Sequence, residues 1–385
     1  MSNTSIPAIA LLCCVAAQTA QAGSYNTVYS FQGGADSAVP AAPLVAYQGL
    51  FYGTATGGGG SGCGGFGCGT VFTVTSTGVE KVLHSFGSGT DGQYPTSGLL
   101  RIGARFYGTT FYGGTGTNAN GTVFSITPAG TEKVISSFLG GEGRLYDPDG
   151  NLTLASGVLY GTTLNGGTNA NTVGGIFSVS LEGAEHDLYS FADGNDGANA
   201  YGGMVAISGT LYGTTSRGGS GGVGTLFSYS ASGGESVIHA FIGSGVDGNT
   251  PLAGLTLLNG VLFGVTEAGG TASKGGGTVF TYTPGGGYTV LYSFGTHSND
   301  GLYPEASLLA YHGALYGTTE AGGTYGGGTV FKLTTTGKMT VLHDFGNGTD
   351  GNCPVAALIA SGGLLYGTAA QGGTAGNGTV FAISP

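Results

Sequence analysis

Six aspartates, Asp36, Asp91, Asp196, Asp247, Asp300 and Asp350, each stand sixteen residues before the aromatic residue of a recurring Tyr-Gly-Thr-like tripeptide, as Asp300 does before Tyr316. Carboxylates are hard oxygen ligands and accept hydrogen bonds from sugar hydroxyls. Repeated in this way, they could form a ring at or near the mouth of a central channel, able to hold Ca²⁺ or a hydroxyl-rich ligand such as a glycan. The reading that a residue demanded by every unit favours is structural: Asp followed by Gly closes a turn through its own backbone and leads the chain into the next unit. A calcium site needs about six to eight oxygens, which one Asp per unit supplies only with help from carbonyls or water. In the third unit the same position holds Arg144, followed by the altered run Leu145-Tyr146-Asp147-Pro148-Asp149-Gly150.

Other reactive side chains are sparse. His84, His239 and His343 share one repeat position with Tyr29, Tyr189, Tyr292 and Ser136, an interchange that marks a packing site. His297, beside Asn299 and Asp300, is the histidine placed on a loop where chemistry could occur. With Arg144 and loop carboxylates it forms the constellation of an alternative reading, a secreted polysaccharide lyase or hydrolase. Asp147, Asp149, Arg217 and Lys274 are further departures from the repeat. No nucleophile elbow, phosphate-binding loop or metalloprotease motif is present, so no catalytic residue is assigned. Cys63 and Cys68 flank a short loop that a disulfide would close in an oxidising compartment, and a lone pair at this spacing makes a poor zinc site. Cys353 is left odd, and its pairing with either remains an open alternative.

The elements that must position these groups follow from the repeat. The tripeptide recurs at Tyr52, Tyr107, Tyr160, Tyr212, Phe263, Tyr316 and Tyr366. A period of about 50 residues makes the chain one repeat architecture. Alternating hydrophobicity divides each unit into four short strands, in the sixth about residues 306–311, 314–319, 328–334 and 339–345. Four-stranded antiparallel units repeated seven times predict an all-β, seven-bladed β-propeller over residues 23–385. The segment Asn26–Phe31 corresponds to a fourth strand and Gly378–Phe381 to a third, so the N-terminal strand is expected to complete the last blade and close the ring. The tight turns then share one face and the long Gly-rich and Asp-Gly loops the other, which is the expected binding face.

The repeat resembles that of secreted bacterial proteins described as choice-of-anchor tandem repeat GloVer-containing proteins. The resemblance rests on the seven tripeptides, the Gly-Gly pairs six residues after each, and the Gly-Thr-Val-Phe units ending at Phe72, Phe124, Phe177, Phe227, Phe280, Phe331 and Phe381. It implies an extracellular location and carries no catalytic or binding residues. Members commonly end in an anchoring tail, whereas this chain ends just after a repeat strand, so simple secretion is expected.

Composition agrees with export. Residues 1–22 hold an apolar stretch, Ile6 to Ala17, and an Ala20-Gln21-Ala22 cleavage pattern, which predicts a signal peptide. No other segment is long and apolar enough to span a bilayer. The net charge of -11, with only nine Lys and Arg and no basic cluster, argues against nucleic-acid binding. The reading is a secreted, monomeric, non-enzymatic binding or scaffold protein whose partner is a glycan, a cell surface or a protein, with no cofactor beyond Ca²⁺.

Overall fold

The computed structural model describes residues 24–115, 120–169, 173–273 and 275–385, so the expected signal peptide and Lys274 lie outside the described residues. Seven four-stranded antiparallel sheets stand in a ring as a β-propeller. In the first blade the strands run Val45–Tyr47, Leu50–Ala55, Thr70–Thr75 and Glu80–Ser85, in that order from the channel outward. Among the described residues the one helical element is a single 3-10 turn, Cys63–Gly65, and no helix is long and apolar enough to cross a membrane.

Ring closure has the expected form. Tyr25–Ser30 is the outermost strand of the seventh blade and pairs antiparallel with Thr379–Ile383, Tyr25 opposite Ile383 and Ser30 opposite Thr379. The hairpins between first and second strands are tight. His312 and Gly313 both take positive φ, 49° and 75°, as a two-residue turn matched to strand twist requires.

The first strand is shorter than expected: in the sixth blade it covers Leu309–Tyr311. The residues ahead of it serve the neighbouring blade instead. The Thr of the tripeptide donates its hydroxyl to a carbonyl there, Thr318 to Ala356 at 3.1 Å and Thr54 to Ser97 at 2.8 Å. The innermost carbonyls are therefore spent between blades, and the in-sheet ladder begins later.

The core lies between blades. At all seven contacts the Phe after the fourth strand meets the Phe of the next blade's Gly-Thr-Val-Phe edge to face, as Phe31 does Phe72 at 5.0 Å and Phe345 does Phe381 at 5.1 Å. Such pairs add about 0.5–1.5 kcal/mol beyond the area they bury. The tripeptide Gly makes room for this ring: a Cβ on Gly317 would lie 2.5 Å from the Phe331 ring, closer than real atoms approach. Five of the seven tripeptide aromatics are buried core residues too, with Tyr52 stacked on Phe106 of the next blade at 4.3 Å, and Tyr160 and Tyr212 are partly buried against the core.

Candidate functional site

The six repeat aspartates stand at the outer edge of the ring, and the channel-mouth ring expected of them is corrected accordingly. Each carboxylate is held by the outermost strand. Tyr29 Oη donates to Asp36 Oδ2 at 2.9 Å, and backbone amides of Gln32 and Ser37 donate to the same carboxylate at 2.7 Å. His84 Nε2 lies 2.9 Å from Asp91, Tyr189 Oη 2.8 Å from Asp196, Tyr292 Oη 2.8 Å from Asp300 and His343 Nε2 2.9 Å from Asp350. His239 and Tyr288 both reach Asp247, at 3.2 and 2.7 Å. Each Asp thus fastens the end of one blade to the crossover leading into the next, at six of the seven seams. The carboxylates do not converge on a common ligand.

The seam has a third member, a residue at the start of the next blade's fourth strand. Beside Asp36 this is Glu80, whose carboxyl is pushed up to about 8 by burial and then by the Asp36 charge. Glu235, beside Asp196, is pushed up to about 7 for the same reasons. Where Arg144 replaces Asp, Ser136 replaces the Tyr or His and donates to Glu185 at 2.6 Å; burial raises the Glu185 carboxyl, and the Ser136 hydrogen bond and, to a lesser degree, the Arg144 charge oppose that rise. His297 is 77% exposed at a different seam, 3.1 Å from Thr296 Oγ1 and 4.0 Å from Asp300. His297 and Arg144 therefore belong to separate seams, and the expected enzymatic constellation of the two at the channel mouth is not assembled.

The channel mouth on the long-loop face is built from other residues. It opens as a cavity of about 330 Å³. One residue per blade enters from the segment just before each first strand: Ala41, Thr96, Asp149, Tyr201, Leu252, Glu305 and Val355. All seven follow the same repeat position, proline in six units and Ala200 in the fourth, and no two are alike. The proline fixes the backbone as the crossover turns inward, and the next side chain is delivered to the channel.

Electrostatics concentrate on one side of this mouth. Burial pushes the Glu305 carboxyl up to about 7, and the like charges of Glu320 and Glu267 add to it. Glu267 is raised by burial and then by Glu320, and burial also raises Asp149. Tyr201, 38% exposed, has its hydroxyl raised by burial and by Asp149, with Arg217 opposing. Two of the sequence departures, Asp149 and Arg217, thus meet here. Asp147 sits behind them and accepts a bond from Asn165 at 2.9 Å. Glu267, Glu305, Glu320 and Tyr201 were missed in the sequence, and the signal that marks Glu305 and Tyr201 is variety at one position beside a recurring proline.

The cysteines resolve simply. Cys63 and Cys68 are joined by a disulfide across the loop of the first blade, with Cα atoms 5.3 Å apart. Cys353 is a free thiol, raised by burial and by the nearby charges of Glu320 and Glu305.

Ring, closure and channel define a seven-bladed β-propeller with a loop face that varies from blade to blade. The chain belongs to the Gloeobacter/Verrucomicrobia repeat family, whose model matches residues 64–276 and 259–385. No curated protein matches it. Solved structures share the fold at low identity. Virginiamycin B lyase from Staphylococcus aureus aligns with a TM-score of 0.60 at 13% identity, over 94% of this chain and 99% of that one. Quinohemoprotein alcohol dehydrogenase from Comamonas testosteroni gives 0.54 at 11%, over 93% and 76%. PorZ of Porphyromonas gingivalis gives 0.53 at 14%, over 89% and 46%.

Proposed function

We propose that the protein is an exported, non-enzymatic binding propeller that takes a hydroxyl-rich ligand, a carbohydrate free or displayed on a cell surface or partner protein, at the channel mouth. One observation carries this reading: a single repeat position holds seven different side chains, and all seven face one cavity. A merely architectural position would repeat its residue, as the outer Asp does. The side chains lining the cavity suit hydroxyls, because Asp149 and Glu305 supply acceptors, with Glu267 and Glu320 close enough to Glu305 to act on its charge, and Tyr201 supplies a ring face with a polar tip. Export rests on the sequence of residues 1–22 and agrees with the Cys63–Cys68 disulfide.

A glycan array followed by thermal shift, with and without Ca²⁺, tests the reading. The expected result is a glycan that raises the melting temperature and is lost in Tyr201→Ala and Glu305→Gln, which remain folded. Absence of any bound glycan, or binding indifferent to both substitutions, would remove it. A second reading, a polysaccharide hydrolase or lyase, is favoured by Glu305, a carboxyl pushed up to about 7 beside Glu320, since separated protonation of neighbouring carboxyls is what acid–base cleavage of glycosides uses. Release of reducing ends or unsaturated products from the bound glycan would move the assignment there.

A further inference from the structure

We propose that the outer seam between the first and second blades binds a divalent transition-metal ion through His84, Asp91 and Glu132. Among the described residues these form the one group of three whose ligand atoms, the imidazole nitrogen and one oxygen from each carboxylate, all lie within 4.8 Å of one another. The site is independent of the channel mouth and of the function proposed there.

The other seams explain why this one differs. All seven use the same three positions, and six of them fill the first two with a Tyr or His near the end of one fourth strand and the crossover Asp, the exception being Ser136 and Arg144; the third position is a residue at the start of the next fourth strand. Where the first position is His at the other seams, the third is Tyr, and the two rings stack at 3.7 Å, His239 on Tyr288 and His343 on Tyr25. Where the third position is Glu beside an Asp, the first is Tyr, as in Tyr29-Asp36-Glu80 and Tyr189-Asp196-Glu235. The seam of His84 combines imidazole with two carboxylates. A carboxylate there takes the place of the stacking ring.

The local chemistry asks for a cation. Oε1 of Glu132 is buried and has no hydrogen-bond partner, as is true of Oε1 of Glu80 and Glu235 at two other seams, but among the described residues only here does an imidazole nitrogen lie within 4.8 Å of the two carboxylates. Asp91 is oriented by the Gly92 amide, which donates to its Oδ1 at 2.7 Å, and this leaves Oδ2 directed at His84 Nε2, 2.9 Å away. An ion inserted here would gain one nitrogen and two oxygens, leaving at least one position for water. Imidazole with carboxylates selects zinc-like ions over Ca²⁺, which takes about six to eight oxygens. The His84 side chain is 22% exposed, so the ion has a path from the outer surface.

The seams themselves provide variants that should keep the fold. His84→Tyr recreates the Tyr-Asp-Glu combination, and Glu132→Tyr recreates His-Asp-Tyr, both of which other blades already carry. The full chain, stripped with a chelator, is titrated with Zn²⁺ by calorimetry, with Co²⁺ absorption as a second readout and His343→Tyr as a control for adventitious histidine binding. The expected result is one Zn²⁺ per chain at micromolar or tighter affinity, unchanged in His343→Tyr and weakened at least tenfold in His84→Tyr and Glu132→Tyr. Their metal-free melting temperatures should stay within a few degrees of the parent, and Glu132→Gln serves as a second variant if the Tyr fails to fold. No binding by the parent, equal binding by the variants, or Ca²⁺ binding as tightly as Zn²⁺ would overturn the assignment.

Discussion

The outer seams and the channel mouth are built from the same repeat and have opposite character. At the seams one Asp recurs in six blades and in each is met by donors from its own molecule. At the mouth the repeated feature is only the backbone path, and the side chain it delivers changes with every blade. Regularity in a repeat protein therefore marks what the ring needs to exist. Recognition belongs where the repeat is free to differ.

If that division holds, the largest losses of stability should come from the most uniform residues and leave the mouth untouched. Phe345→Ala removes an edge-to-face partner of Phe381 from a fully buried site and should cost about 3–5 kcal/mol, read as a shifted denaturant midpoint. Gly317→Val forces a side chain into the Phe331 ring and should cost about 1–3 kcal/mol or more. Asp300→Ala strands the Tyr292 hydroxyl and the Gly295 amide, an expected loss of about 1–3 kcal/mol, while any ligand of the mouth still binds. If Asp300→Ala abolished ligand binding without loss of stability, the division would fail. At the mouth, Tyr201→Ala should change stability by no more than about 0.5 kcal/mol and abolish binding, since Tyr201 is 38% exposed.

The smallest effect concerns pH. Glu80, raised in the folded protein to about 8, binds its proton more tightly there than in the unfolded chain. Its stabilising contribution is full below the ordinary glutamate range, declines as the unfolded chain ionises, and is lost as pH passes through about 8. The melting temperature, measured in the presence of a chelator, should therefore fall from pH 5 to about pH 8, and Glu80→Gln should flatten part of that fall. A parent profile flat over this window would contradict the burial of that carboxyl.

Blade number, strand order and the closing offset were legible because each is a matter of spacing along the chain. Radius was not. Asp300 and Glu305 are five residues apart, yet the first lies under the outermost strand and the second at the channel. The spacing from Asp to the tripeptide gave no means of assigning the Asp to the rim, whereas the seven- or eight-residue interval from each strand-four Tyr or His to its Asp, such as His84 to Asp91, did mark the pair that does so. The mouth residues escaped for the opposite reason: Asp149, Tyr201 and Glu305 share no type, so a search for repeated chemistry passes over them. Likewise His84 resembled the other strand-four residues, and only its pairing with Glu132 across the seam sets it apart.

The pairing of Tyr25 with Ile383 also sets an order of assembly. Every other ladder joins strands from within one unit, but this one joins residues at opposite ends of the described chain. In an unfolded chain, the entropy of closing so long a loop opposes that contact. Once the first six blades have stacked, their curvature brings the two strands together, and the same contact closes only the short gap that remains. The ring is thus expected to grow as an arc of locally formed blades and to be sealed last, so that the seventh blade, the one made from both ends of the chain, reports whether all the others are in place.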